Sequence, residues 1–438
     1  MGISLVGGWL PTALLVAMVA ALLASVRWGA RGWRLELAGL TALAGVLAVA
    51  AWAYTTSTNL IVPSLPLIAY VWLTPIVFGV GVLIAGVRRG TTRHRVAGSL
   101  AVLLTVATSA NLFNGYYAYY PTVGSLLSSP TAHEVSASQV DRLRHGAGLA
   151  VTGAVARRPA MPAHGVTFQV AIPGTVSGFR ARPAWMYLPP AYFTPQHPVL
   201  PVVMLLEGTP SQPVDWFRAG LADRTADRFA RTHHGQAPIL VLPDQNGSFL
   251  GDSECVNRPH ARAEDYLTID VRNFVVARYA APRNPSGWAV AGLSAGGTCA
   301  FDLALRHSDL FRMFGDFSGD PTPQIGSPRH TLHVLFGGSE AARRSFDPVH
   351  LLAGRPRQRR MVGFFEAGSA DRSRARAGHA LARLAALHGV HTKWATTPGP
   401  HSFAVWGASF RTALDYFWPQ FRVAHPEPNS ALHAPVAP

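Results

Sequence analysis

Lysine is almost missing from this chain: Lys393 is the only one, so the rest of the 38 basic residues are arginine. Acidic residues are scarce too, 23 in all, which leaves a formal net charge of +15 although only 14% of the 438 residues are charged. The arginines are scattered and no recognition motif accompanies them, which argues against a nucleic-acid partner. Beside a membrane, such residues are drawn to anionic headgroups. Cysteine is limited to Cys255 and Cys299, with no zinc-type spacing. Apolar residues are abundant instead, at 49% of the chain, and they crowd into its first quarter. The length allows two or more domains.

Four apolar runs occupy residues 9–26, 37–54, 67–87 and 96–113. Each approaches the roughly 20 residues that cross a bilayer as a helix. A removable signal peptide accounts for one run, not four. None carries a charge at its centre, which argues against a transporter built from these helices. The first connection carries Arg27, Arg31 and Arg34, and the third Arg88, Arg89, Arg93 and Arg95, whereas Thr55 to Pro66 is uncharged. Arginine-rich short loops stay cytoplasmic, so everything after residue 115 is expected outside the cytoplasm. Tyr116, Tyr117, Tyr119 and Tyr120 fall where an interfacial aromatic belt belongs. The sequence therefore predicts a four-helix transmembrane anchor over 1–115 and a linker with one short helix over 116–147. A catalytic domain over 148–422 and a disordered Pro-, His- and Ala-rich tail over 423–438 follow.

Past residue 148 the pattern changes. Val166, Phe168, Val170 and Ile172 alternate with other residues, as in a strand. Ala184–Leu188, Val202–Leu206 and Ile239–Leu242 are short apolar runs, as expected of strands buried on both faces of a parallel sheet. Helical stretches are expected at 213–232 and 264–280. Further strand and helix signals alternate at 295–307, Met313–Phe317, Leu332–Phe336, Met361–Phe365, 372–388, His391–Ala395 and 403–418. This order predicts an α/β fold with a mostly parallel sheet.

The most informative stretch is Trp288 to Ala300. A short apolar strand leads into Gly292-Leu-Ser294-Ala-Gly296, and a helix follows. Gly-x-Ser-x-Gly is the pattern of a nucleophile elbow, in which a serine sits on a strained strand-to-helix turn. The flanking glycines remove Cβ clashes there, and the N–H of Ala295 faces a developing oxyanion at the helix N-terminus. The competing reading is a glycine-rich turn with an incidental serine.

A nucleophilic serine needs a base, an acid that orients it, and oxyanion donors. With this elbow the acid and then the histidine follow the serine in the chain. Of the 18 histidines, His401 alone follows the last strand and precedes the final helix, in Thr397-Pro-Gly-Pro-His401-Ser-Phe. Two carboxylates compete as the acid. Glu366 still lies on its strand, whereas Asp371 lies past Gly368 in the loop, and Asp371 is the favoured candidate. Its rival role is the N-cap of the following helix. The second oxyanion donor is expected from Leu206-Glu207-Gly208-Thr209, as the N–H of Thr209. Trp216 either walls a pocket or packs in the core.

These stretches carry a resemblance. The stretches that carry it are Leu205-Leu-Glu-Gly208, Val241-Leu-Pro-Asp244, Glu264-Asp-Tyr-Leu-Thr268, Gly292-Leu-Ser-Ala-Gly-Gly297, Ala304-Leu-Arg-His-Ser-Asp-Leu-Phe311, Phe317-Ser-Gly319 and Pro398-Gly-Pro-His401-Ser-Phe with Trp406. Together they resemble the esterase family of α/β-hydrolases that includes esterase D, feruloyl esterases and the secreted mycolyltransferases of actinobacteria. The likeness covers most of 185–418. The apolar anchor is similar to that of membrane-bound actinobacterial members. Glu207, Pro400 and an Arg- and Gly-rich segment at 338–360 depart from the common pattern, and the last bears on the pocket rim. The resemblance implies an α/β-hydrolase that transfers acyl groups through Ser294, Asp371 and His401 without a metal or organic cofactor. An anchored enzyme of this kind would meet a lipid or cell-envelope ester. Alternatives are hydrolysis of aminoacyl-phosphatidylglycerol and a non-catalytic envelope protein with a hydrolase-like domain. Both cysteines fall in the domain expected outside the cytoplasm, where disulfides persist, so a Cys255–Cys299 bridge is expected in place of two free thiols.

Overall fold

The computed structural model of the protein describes residues 2–58, 67–144, 161–195, 198–353 and 360–422. The chain forms two compact units. One comprises Met1–Ser128 with the short pieces Ile325–Ser327 and Ser402–Ala404, and the other holds the remainder from Ser129 onward. The tail expected to be disordered, 423–438, lies outside the described residues, as does most of the uncharged connection Thr55 to Pro66.

In the first unit, the expectation of four spanning helices is corrected to three among the described residues. Helices α2 (Trp33–Ser57), α3 (Leu67–Arg89) and α4 (Thr92–Tyr117) are long and apolar enough to cross a membrane. The first run forms α1 (Trp9–Ser25), of 17 residues. It begins only after Gly8, at φ 83°, and ends at the extended Val26. At 1.5 Å per residue it reaches about 26 Å, less than the ~30 Å hydrocarbon core. Helix α2 starts earlier than its apolar run and so takes in Glu36. That carboxylate is neutralised by Arg27, whose Nη2 lies 2.7 Å from both of its oxygens. Trp72 of α3 packs edge-on against Phe113 of α4, and its carbonyl accepts the Ser109 hydroxyl at 2.6 Å.

The second unit is built on an eight-stranded sheet. Its strands are β1 (Val166–Val170), β2 (Ala184–Leu188), β3 (Val202–Leu206), β4 (Ile239–Leu242), β5 (Trp288–Leu293), β6 (Met313–Phe317), β7 (Val362–Gly368) and β8 (His391–Thr397), in the spatial order β1-β2-β4-β3-β5-β6-β7-β8. From β4 to β8 all neighbours are parallel, while β2 is antiparallel to β1 and β4. The inner strands β3, β4, β5 and β6 are buried at every residue, whereas β8 is an edge strand with alternating exposure. This is why β3 to β6 read as continuous apolar runs.

The helices packed on the sheet include α5 (Ala222–Thr232), α6 (Ala295–Arg306), α7 (Arg372–Leu387) and α8 (Phe403–Phe417), and the expected helical stretch before β5 is present over 263–279, with Tyr279 against Phe168 of β1. The two sheet faces are separated by strand alternation. Phe314 and Phe365 pack against Phe301 of α6, the latter edge-on, while Phe317 and Phe364 face the other way, toward Trp216 and Phe417. The helix expected over 213–232 is broken. A four-residue turn of helix, Asp215–Arg218, ends before Gly220, and α5 restarts after Leu221 at φ 53°. Leu332–Phe336 is helical, part of Pro328–Phe336. Residues 116–144 hold two short helices, Val123–Leu127 and Ala137–Arg144.

Candidate active site

The turn after β5 places Ser294 at φ 54°, ψ −124°, a conformation costly for any residue with a Cβ. Close packing on both sides holds it there. A Cβ on Gly296 would lie 2.4 Å from the carbonyl oxygen of Glu207 and 2.5 Å from that of Leu206. The first turn of α6 therefore rests directly on the end of β3, which only glycine permits. The Ser294 N–H donates to the Phe317 carbonyl at 2.9 Å, which ties the elbow to β6.

Ser294, Thr209, Asp371 and His401 all follow the C-terminal ends of parallel strands, where ligands bind in open α/β sheets. His401 Nε2 lies 3.0 Å from Ser294 Oγ, and its Nδ1 lies 2.6 Å from Asp371 Oδ2. Trp406 stands edge-on to the His401 ring, with centroids 4.8 Å apart and planes at 90°. The acid and histidine loops are joined through their backbones. Ser369 N–H donates to Thr397 O, and Ala370 N–H to Gly399 O, both at 2.9 Å. A Cβ on Gly368 would meet the Gly399 carbonyl oxygen at 2.3 Å, so glycine is required where the loops touch.

The two candidate acids are separated by this geometry. Asp371 stands at the N-cap position of α7, yet its side chain makes no capping bond and turns to His401 instead. Glu366 is buried in β7, in register with Phe317 on one side and Ala395 on the other. Its carboxyl accepts the Thr397 hydroxyl. Burial pushes that carboxyl up from its ordinary value, against the bonds from Thr397 and Ser409. Glu366 ties the edge strand β8 and α8 to the sheet and is not brought to the histidine.

The loop after β3 is held through its carbonyls. Trp216 Nε1 donates to Leu206 O at 2.8 Å, Gln245 Nε2 to Glu207 O at 2.5 Å, and Asn246 Nδ2 to Gly208 O at 3.2 Å. In a trans amide the N–H points opposite the C=O, so the Asn246 bond sets the direction of the Thr209 N–H. A Cβ on Gly208 would lie 3.2 Å from Ser294 Cβ, which places this loop beside the serine. Trp216 is fully buried and is a core and loop anchor, not a pocket wall. Behind the loop, Arg182 Nη2 bridges Glu207 at 2.5 Å and Asp244 at 2.7 Å, and its backbone N–H reaches Asp244 Oδ2 at 2.6 Å. Burial pushes Glu207 well above the usual carboxyl range, with Arg182 opposing. For Asp244 burial acts the same way but the Arg182 bonds outweigh it, leaving that carboxyl below its usual value. Sequence reading missed Arg182, Gln245 and Asn246; the only signal was Asp244-Gln245-Asn246 at the end of β4.

Burial also raises three carboxyls on neighbouring stretches of the second unit. It pushes Asp252 and Asp316 up to about 7 and Glu254 well above its ordinary value. The loop that carries Asp252 and Glu254 is fastened to the serine helix by the Cys255–Cys299 disulfide, with Cα atoms 5.5 Å apart. The bridge closes a sequence separation of 44, for which loop entropy alone is worth about 4 kcal/mol. The double variant Cys255→Ser/Cys299→Ser is expected to lose about 2–4 kcal/mol of stability, read by urea or thermal unfolding of the detergent-solubilised protein. An unchanged transition would show that the bridge contributes nothing.

The family described as "Putative esterase" matches residues 180–417. An uncharacterized protein of Corynebacterium glutamicum is 35% identical over 340 residues, 75% of this chain and 76% of that one. Among solved structures, a ferulic acid esterase superposes with a TM-score of 0.51 at 18% identity, covering 60% of this chain and all of its own. An S-formylglutathione hydrolase from Agrobacterium tumefaciens gives a TM-score of 0.48 at 17% identity, covering 60% of this chain and 98% of its own.

Proposed function

This chain belongs to that esterase family and is a serine hydrolase, and we propose that it is a membrane-anchored enzyme transferring acyl groups from a lipid or cell-envelope ester on the extracytoplasmic side. The observation that carries this reading is the relay from Asp371 through His401 to Ser294, at 2.6 and 3.0 Å. Ser294 Oγ attacks the ester carbonyl carbon as its proton passes to His401 Nε2. Asp371 holds the ring by Nδ1 and stabilises the imidazolium. The N–H groups of Ala295 and Thr209 receive the oxyanion. The C–O bond then breaks, the alcohol leaves with the proton from His401, and an acyl-enzyme remains. Water, or a sugar or lipid hydroxyl, gives its proton to His401 as it attacks the acyl carbon, and His401 returns that proton to Ser294 Oγ as the acyl–serine bond breaks.

The substrate class rests on two features. The hydrolase unit follows three helices able to cross a membrane, so it meets membrane-bound esters at high local concentration. On the loop whose Gly251 carbonyl accepts the Thr209 hydroxyl, Phe249 and Leu250 are exposed, 52% and 77%, which supports an apolar acyl chain. The positive-inside pattern of the loop arginines supports the outward orientation.

A membrane-impermeant fluorophosphonate applied to intact cells is expected to label the wild-type protein and not Ser294→Ala. Labelling that appears only after lysis would overturn the orientation. No labelling in lysate either, with the protein folded, would overturn the nucleophile.

A further inference from the structure

At the end of the sheet away from Ser294, two histidines and an aspartate converge. The register places them there. Antiparallel β2 pairs Tyr187 with Leu240 near the start of β4, and β1 begins opposite Leu188. Residues just before Val166 therefore lie at the N-terminal ends of the parallel strands, whereas Ser294 lies past their C-terminal ends. His164 is two residues before Val166. His133 comes from the first stretch of the second unit, which runs parallel to β1. Thr167 N–H donates to His133 O, and Val135 N–H donates to Thr167 O, both at 2.9 Å. Two adjacent backbones thus present their imidazoles side by side, with ring centroids 4.3 Å apart and planes at 21°.

Asp227 of α5 faces both rings. Its Oδ2 lies 3.5 Å from His164 Nδ1 and 3.9 Å from His133 Nε2, longer than a hydrogen bond. Its Oδ1 is engaged elsewhere, accepting the Tyr187 hydroxyl and the Gly165 N–H, each at 2.8 Å. One oxygen is thereby fixed by donors and the other is aimed at the histidines. This is how an outer shell orients a ligating carboxylate. One atom from each of the three residues lies within 4.8 Å of the others. A cation held at about 2.0–2.2 Å by each atom needs them roughly 3.3 Å apart in a tetrahedral site, which small side-chain rotations supply. One helical turn earlier, Asp223 is buried and also holds the leading segment, its Oδ2 accepting the Ala132 N–H at 2.9 Å. The histidines are half-exposed, 43% and 46%, so an ion has a path in and water can fill the fourth position.

From this arrangement we infer that His133, His164 and Asp227 form a binding site for a borderline divalent transition cation of the Zn²⁺ class. Imidazole nitrogens select such ions over Mg²⁺ or Ca²⁺. The ion clamps the leading segment to β1 and α5, and takes no part in acyl transfer because it sits at the opposite end of the sheet. No short ligand spacing announces the site: the three residues are 31 and 63 positions apart and meet only in the fold.

The test uses the full-length protein in detergent, stripped with chelator and titrated with Zn²⁺ against a chromophoric competitor. Wild type is expected to bind one ion per chain with micromolar or tighter affinity and to gain thermal stability on binding. His133→Ala/His164→Gln is expected to bind at least about tenfold more weakly and to show no zinc-dependent rise in Tm, while ester hydrolysis matches wild type. Retained hydrolysis shows that the variant is folded. A stoichiometric site that survives in the variant overturns the inference, and so does the absence of one in wild type at micromolar zinc.

Discussion

Ser294→Ala is expected to lower kcat for a short p-nitrophenyl ester by roughly a million-fold, the loss seen when a triad serine is removed elsewhere. That corresponds to about 8 kcal/mol of transition-state stabilisation. The expectation rests on the 3.0 Å approach of His401 Nε2 to Ser294 Oγ and on the strained backbone that presents the hydroxyl. Removing the hydroxyl leaves the oxyanion donors and the pocket in place, so substrate binding and Tm should change little. Alanine keeps the Cβ already accommodated at φ 54°, so a fall in rate reflects chemistry and not unfolding. Hydrolysis by the variant at wild-type rate would remove Ser294 from the mechanism.

The second large effect separates the two carboxylates. Asp371→Asn is expected to cost about 10⁴-fold in kcat, because the neutral amide no longer stabilises the imidazolium and can hold the wrong tautomer. Its Tm should stay near wild type, since the Asp371 side chain makes no capping bond to α7. Glu366→Gln should keep activity within about tenfold, or ~1.4 kcal/mol. An amide can still accept the Thr397 hydroxyl, and burial already disfavours the charged form of this carboxyl. Steady-state kinetics and melting curves on both variants decide the matter. An inactive Glu366→Gln beside a normal Asp371→Asn would transfer the role of acid to Glu366.

What the sequence determined by itself is local. The elbow is legible because strain at one serine demands glycines two residues before and after it, and that demand is written in five consecutive positions. The inner strands are legible because burial on both faces makes every residue apolar, as in Val202–Leu206. Three helices long and apolar enough to cross a membrane are legible because a bilayer imposes a minimum apolar length, but the sequence also offers 9–26 as a fourth span, and only the structure shortens that run to the 17 residues of α1. Tertiary structure decided whatever depends on which loops meet. Glu366 and Asp371 are five residues apart in one stretch, and only the pairing of β7 with β8 turns one toward Thr397 and the other toward His401. Asn246 and Arg182 act on the Gly208 loop from 38 and 25 positions away from their partners in it. His133, His164 and Asp227 share no spacing at all. Periodicity and motif record interactions within one element, whereas side chains that meet across elements leave no mark on their own neighbours in the chain.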